Sequence, residues 1–159
     1  DIAVRSNPNQ IRGKIVETIK GTDIFIGVSG APNIIDQEAV RSMRPDPVIF
    51  ALSNPDPEIL PSEAIKGGAR VVATGRSDFA NQVNNAVVFP SILRALLDLR
   101  VRELNENVLV AISRAIAGLV DQTQLKEDFI IPKVNDPRIQ PIITQTIREA
   151  LRRHIEKAL

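Results

Sequence analysis

The chain has 159 residues, of which 43% are hydrophobic and 25% are charged, so it can bury one core of ordinary domain size. Its 20 basic and 19 acidic residues leave a net charge of +1, which excludes the strong positive field of a protein that gathers nucleic acid or an anionic membrane. Cysteine is absent, so disulfides and thiolate metal sites are excluded, and we expect a cytoplasmic protein.

The amino-terminal segment lacks both a methionine and the apolar core of a signal peptide, and no run of the chain approaches membrane-spanning length. The chain begins at Asp1, from which we expect a domain fragment or a truncated product. A first helix is predicted where apolar residues recur at helical spacing before Gly21. Those residues are Ile11, Ile15, Val16 and Ile19.

Three short apolar runs, at 23–28, 47–52 and 69–74, are predicted to be strands. They show little alternation of apolar and polar residues, which is typical of parallel strands covered on both faces. Asp36 is expected to cap a helix between the first two strands, and Pro61 is expected to begin a short helix between the second and third. This alternating order predicts an α/β protein with a parallel sheet.

The remainder of the chain is predicted to be helical. Pro90 can begin one helix, Asn105 can cap a second, and Asp136 with Pro137 can open a third. In the first of these helices the residues expected to point inward are Ile92, Leu93, Leu96, Leu97 and Leu99.

Each predicted strand is followed by a segment rich in glycine or amide side chains. In an open parallel sheet, ligands bind in the crevice beyond the carboxyl ends of the strands. Asn54 ends the second strand directly before Pro55, and its amide can both donate and accept hydrogen bonds. The segment 53–57 can equally be a simple turn, since Asn, Asp and Pro dominate turns.

The loop after the third strand carries a pair of asparagines, Asn84 and Asn85. Loops placed beyond strands are common ligand sites. The alternative is that these side chains cap the helix that begins near Pro90. Arg76 and Asp78, in the same loop, are expected to form a structural ion pair.

The segments 24–30, 49–59 and 73–90 together resemble the cofactor-binding domain of malic enzymes, in the short prokaryotic form. The likeness extends from about residue 21 to residue 120. It implies a Rossmann-like parallel sheet, the second half of a doubly wound domain, followed by carboxyl-terminal helices. The whole of 1–159 would then be a partial NAD(P)-binding domain, with the sheet and its crossovers in 1–90 and the helical part in 91–159.

The resemblance also implies an activity, the oxidative decarboxylation of (S)-malate to pyruvate and carbon dioxide with NAD or NADP and a divalent metal, Mg or Mn. It implies that Asn54 and Asn85 bind the substrate. It assigns cofactor binding to Ser29, Gly30, Asn54 and Asn84. A homo-oligomer is expected, with no nucleic-acid or membrane partner.

The family's phosphate-binding loop, metal carboxylates and proton-handling tyrosine and lysine correspond to positions before Asp1, and this chain contains no tyrosine. We therefore expect no catalytic residue and no metal ligand in this chain, and no turnover of malate by the chain alone. The remaining part of the polypeptide would supply those groups. The alternative hypothesis is a non-catalytic Rossmann-like remnant that serves as an interaction or dimerisation module.

Overall fold

The computed structural model describes residues 5–156, and the side chains of residues 5–152. It divides the chain into two compact units, Asp1–Gly75 and Arg76–Leu159. Each unit has its own apolar core. The expectation of one domain over 1–159, with a change from sheet to helices at residue 90, stays a prediction.

The first unit alternates helices and strands. Its elements are α1 (Ile15–Thr18), β1 (Ile24–Gly27), α2 (Gln37–Arg41), β2 (Val48–Ala51), α3 (Pro61–Lys66) and β3 (Val71–Thr74). The strands form a parallel sheet in the order β1-β2-β3. The predicted α/β, Rossmann-like architecture and all three predicted strands are confirmed, with each strand somewhat shorter than expected.

The helices of this unit begin and end at the residues that the sequence indicates. The Asp36 side chain caps α2 by accepting a hydrogen bond of 2.9 Å from the amide of Ala39. Pro61 lies in the first turn of α3, and Gly67 is its carboxyl-terminal cap. The predicted first helix is wrong at its start, because Gly13 takes a φ of 152° and the helix begins only after it.

One face of the sheet packs against the helices. Phe25, Ile49 and Val72 are aligned across the three strands and are buried in the core. On the opposite face of β1, Ile24 and Ile26 are 56% and 62% exposed. Within the first unit, therefore, only one face of β1 is covered, whereas the sequence predicts cover on both faces.

The second unit is helical. Its elements are a short 3₁₀ turn (Asn85–Val87), α4 (Phe89–Leu99), α5 (Glu106–Ala117) and α6 (Ile139–Glu156). Helices α4 and α5 both contact α6. Their shared core contains Val87, Ala95, Ile112, Ile116, Ile139, Ile143 and Ile147. All three predicted helices are confirmed, and so is the Asn105 cap of α5, which accepts a hydrogen bond of 3.1 Å from the amide of Val108.

The expected inward face of α4 is partly wrong. Ile92 and Leu99 pack against the core around the buried Ala95, but Leu93 and Leu97 are 48% and 70% exposed. The apolar residues of α4 are spread over a wide arc of the helix, and a helix that packs on one side buries only one stripe of them. None of the described helices is both long enough and apolar enough to cross a membrane.

Asp136 secures the start of α6. Its carboxylate accepts hydrogen bonds from the Arg138 backbone amide at 2.9 Å and from the Arg138 guanidinium at 2.6 Å. These bonds lower the pKa of Asp136 from its ordinary value of 3.8 to about 2. The ionised carboxylate is therefore favoured in the folded chain.

We expect Asp136→Ala to lower the free energy of unfolding by about 1 kcal/mol at neutral pH, because it removes the hydrogen bond to the Arg138 amide and the ion pair with Arg138. A carboxyl whose pKa is depressed on folding stabilises the fold above its unfolded-state pKa, and this stabilisation is lost as the pH falls through the folded-state pKa. The difference between wild type and variant should therefore shrink between about pH 4 and about pH 2. Urea denaturation across that range measures it. Asp23→Ala is the control, because its ion pair with Arg44 is largely exposed, and it should have little effect.

Candidate functional site

A buried carboxylate joins the carboxyl-terminal tips of β1 and β2. Glu58 is 0% exposed, and its Oε1 accepts hydrogen bonds of 2.9 Å from both the amide and the hydroxyl of Ser29. The Ser53 hydroxyl donates to the same oxygen at 2.5 Å, and the Ser53 amide donates to Oε2 at 3.2 Å. Two neighbouring strand ends are thus fixed to one side chain.

The network continues to the next residue of the first tip. The Gly30 amide donates a hydrogen bond of 2.8 Å to the Ser53 hydroxyl, which in turn donates to Glu58. Gly30 has a φ of 72°, a left-handed conformation that glycine adopts without a side-chain penalty. No other residue lies near the position of a Gly30 Cβ atom, so the surface beside this turn is open.

The hydrogen bonds decide the protonation of Glu58. Burial raises the pKa of its carboxyl, but the bonds from Ser53 and Ser29 favour the charged form more strongly, and the pKa lies below its ordinary value. Glu58 is therefore a buried anion held by four protein donors. No buried side-chain nitrogen or oxygen among the described residues lacks a partner.

Asn54 follows Ser53 directly and is exposed at the tip of β2. The peptide bond between Asn54 and Pro55 is cis. Gly75 lies beside the Asn54 amide, since a Cβ atom at position 75 would be only 2.8 Å from Asn54 Nδ2. The side chain thus lies at the carboxyl edge of the sheet, where the sequence predicts it.

In the second unit, one of the paired asparagines has a capping role, but it caps the 3₁₀ turn before α4 and not α4 itself, whose start has no side-chain cap. Asn84 is the cap of the 3₁₀ turn, and its Oδ1 accepts a hydrogen bond of 3.0 Å from the Ala86 amide. Asn85 is the first residue of the turn, and its side chain is exposed. The two neighbouring amides therefore have different environments.

Asn81 holds the loop that precedes this turn. It is 6% exposed and has a φ of 54°, a conformation that asparagine tolerates better than most residues. Its Nδ2 donates to the carbonyl of Glu127 at 2.7 Å, and its Oδ1 accepts from the amide of Ile130 at 2.9 Å. One side chain thus connects two loops that are far apart in the sequence.

The expected pairing of Arg76 with Asp78 is confirmed. The guanidinium donates two hydrogen bonds to the carboxylate, at 2.8 and 2.7 Å, and lies 5.2 Å from the centre of the Phe79 ring. This geometry is a rigid bidentate pair. It lowers the pKa of the Asp78 carboxyl. The pair shapes the loop and has no geometry that indicates a catalytic role.

The same loop borders an open cavity of about 930 Å³ within the second unit. Its walls are the segment 77–82 and residues between 123 and 135. Both walls are held together by Asn81. Neither Asn84 nor Asn85 is among the residues that line it.

The structure brings together Ser29, Gly30 and Asn54, at adjacent tips of the first unit, as the sequence predicts. The two residues that sequence reasoning missed are Glu58 and Asn81. The sequence signal that could have indicated the burial of Glu58 is the apolar residue after it, since Ile59 is itself buried. Whether the predicted site residues bind a ligand stays a prediction.

Among the described residues, no group of three or more His, Cys, Asp or Glu side chains is placed to hold a metal ion. A dinucleotide fits the edge of the sheet in one respect, since the turn at Gly30 leaves open space beside the backbone. The expectation that metal ligands lie outside this chain stays a prediction.

A parallel sheet with crossover helices and polar strand tips is the architecture of doubly wound α/β domains, which bind their ligands beyond the carboxyl ends of the strands. Comparison with known proteins narrows this class. The family described as "Malic enzyme, NAD binding domain" matches residues 10–151. The chain therefore belongs to the malic enzyme NAD-binding domain family, which confirms the resemblance seen in the sequence.

Two curated relatives and one solved structure illustrate the similarity. The chain is 44% identical over 150 residues to the NAD-dependent malic enzyme of Geobacillus stearothermophilus, with 94% of this chain and 31% of the relative covered. It is 40% identical over 150 residues to the NADP-dependent malic enzyme of Salmonella typhimurium, with 84% and 20% covered. The crystal structure of malic enzyme from Pyrococcus horikoshii Ot3 matches with a TM-score of 0.83 and 38% identity, covering 93% of this chain and 34% of that one. The chain thus spans about a third or less of the length of each of these proteins.

Proposed function

We propose that this chain is part of an oxidoreductase that converts (S)-malate to pyruvate and carbon dioxide with NAD or NADP. The family match over residues 10–151 is the observation that carries the proposal. The Glu58 network supports it, because a rigid polar edge at the carboxyl ends of parallel strands is where such domains bind their ligands.

Within this proposal, Ser29, Gly30, Asn54 and Asn84 contact the cofactor, and Asn54 and Asn85 contact the substrate. Asn54 and Asn85 are the strongest candidates, since both have exposed amides. The amide and the hydroxyl of Ser29 already donate hydrogen bonds to Glu58. Ser29 would therefore contact the cofactor mainly by van der Waals packing and not by hydrogen bonds. The Asn84 Oδ1 already caps the 3₁₀ turn, so the Asn84 contact is the less specific part of the proposal.

The asparagine amides would orient the substrate and the nicotinamide. The general acid and general base, and the ligands of Mg or Mn, would come from another part of the polypeptide. The exposed apolar face of β1 supports this division, because Ile24 and Ile26 would be covered by an additional segment. A homo-oligomer and a cytoplasmic location belong to the same proposal. The chain alone would be inactive.

The test is an assay of the complete gene product and of this chain alone, each with malate and Mg or Mn, and with NAD and NADP supplied separately. We expect malate-dependent formation of NADH or NADPH, together with pyruvate, by the complete protein only. A complete protein that binds dinucleotide but forms no pyruvate from malate would reject the proposed activity. Sedimentation of the complete protein would test the oligomer, and cell fractionation would test the location.

A further inference from the structure

We propose that Glu58 is a positioning residue for this reaction, which aligns Asn54 and the Ser29-Gly30 turn by holding the tips of β1 and β2 together through Ser53. The inference rests on the proposed function. Glu58 is not itself assigned to the substrate or the cofactor, and it would act through the residues it holds, Ser29 directly and Gly30 and Asn54 by way of Ser53.

The geometry of Ser53 carries the argument. Ser53 is 5% exposed, and its hydroxyl accepts from the Gly30 amide and donates to Glu58, while its own amide donates to the other carboxylate oxygen. Both the backbone and the side chain of Ser53 are therefore fixed. Because Asn54 is the next residue, the direction in which its amide points depends on this fixed backbone.

The carboxylate is required for more than filling space. The four donors that reach Glu58 come from Ser29 and Ser53 and need an acceptor on both oxygens. A glutamine of the same shape has one acceptor oxygen and one NH₂ donor, so it cannot accept all four bonds. Backbone carbonyls of the same segment add to the alignment, since the Glu58 carbonyl accepts from the Ile35 amide at 3.3 Å.

A displacement of about 1 Å at a positioning group can lower turnover by up to about a hundredfold. The loss should therefore appear in kcat and not only in stability. We expect Glu58→Gln and Ser53→Ala each to lower kcat about tenfold or more in the complete enzyme. Since both act through one network, the double variant should be about as slow as the slower single variant.

The experiment is a double-mutant cycle in the complete enzyme, with kcat, the KM for malate, the KM for dinucleotide and the thermal midpoint measured for each protein. Val40→Ala is the control, because Val40 is a core residue of α2, outside the Glu58 network. It should lower the thermal midpoint and leave kcat unchanged. Ser53→Ala gives a readout even where Glu58→Gln does not fold.

Single variants with wild-type kcat, or losses that simply add, would overturn the positioning role. A kcat that falls in Val40→Ala as much as in the network variants would overturn it too, because the loss would then follow stability alone. An inactive wild-type enzyme is a different result. It would reject the proposed function itself, and the inference would fail with it.

Discussion

Asn85→Ala in the complete enzyme should lower the turnover of malate about tenfold or more, as the loss of a contact that orients a substrate can. Asn85 is exposed and begins the 3₁₀ turn, and its backbone carbonyl, not its side chain, accepts the turn's hydrogen bond of 3.1 Å from Val88. Removal of the amide should therefore leave the turn intact. Steady-state kinetics with malate as the varied substrate measures the effect.

Asn107→Ala is the matched control, since it makes the same chemical change at an exposed position of α5. Alanine favours helix more than asparagine does, so this variant should be at least as stable as the wild type and equally active. Equal kinetics for Asn85→Ala and Asn107→Ala would remove Asn85 from the proposed site. Asn84→Ala should in addition lower stability, because the cap of the turn is lost.

The elements that sequence patterns predicted well are those with local signals. Asp36, Pro61 and Asn105 mark helix starts through interactions with residues only a few positions away, and each lies where the sequence placed it. The exposure of Leu93 and Leu97 could not be predicted in this way. It depends on which side of α4 meets α6, and helical spacing alone does not determine that.

In the candidate site, too, the features with a local sequence signal could be predicted and those that depend on distant residues could not. The position of Asn54 at a strand tip follows from a strand that ends before a proline, which is a local pattern. Glu58, in contrast, was overlooked because a glutamate in a proline-rich turn is usually solvated. Its burial depends on Ser29, which is 29 residues earlier in the chain. Asn81 was overlooked for the same reason, since its partners are 46 and 49 residues away.

The apolar character of β1 also has a consequence for the complete protein. Its sequence lacks alternation, as is typical of a strand covered on both faces, yet the structure covers only the side of Phe25. The sequence and the structure agree if a segment beyond the described residues packs against Ile24 and Ile26. The proposed function likewise assigns the catalytic groups to a part of the polypeptide outside this chain.

Gly27→Ala should be among the most destabilising single substitutions in the first unit. A Cβ atom at this position would lie 2.5 Å from Cδ and 2.7 Å from Oε1 of Glu58, so the buried carboxylate would have to move. That movement breaks hydrogen bonds to Ser29 and Ser53 and leaves a buried charge poorly paired. We expect a loss of about 3 kcal/mol in the free energy of unfolding, measured by urea denaturation of the chain.

Gly118→Ala is the control for this substitution. Gly118 has a φ of −68°, and the nearest atom to its Cβ position is the Arg114 carbonyl oxygen at an ordinary 3.4 Å. Alanine there should change stability by less than about 0.5 kcal/mol. Hydrogen exchange separates the proposed cause from general loosening, because the amides of Ser29 and Ser53 should lose protection first in Gly27→Ala. Unchanged protection of those two amides would mean that the carboxylate does not move, and the close approach of Gly27 to Glu58 would then not explain the loss.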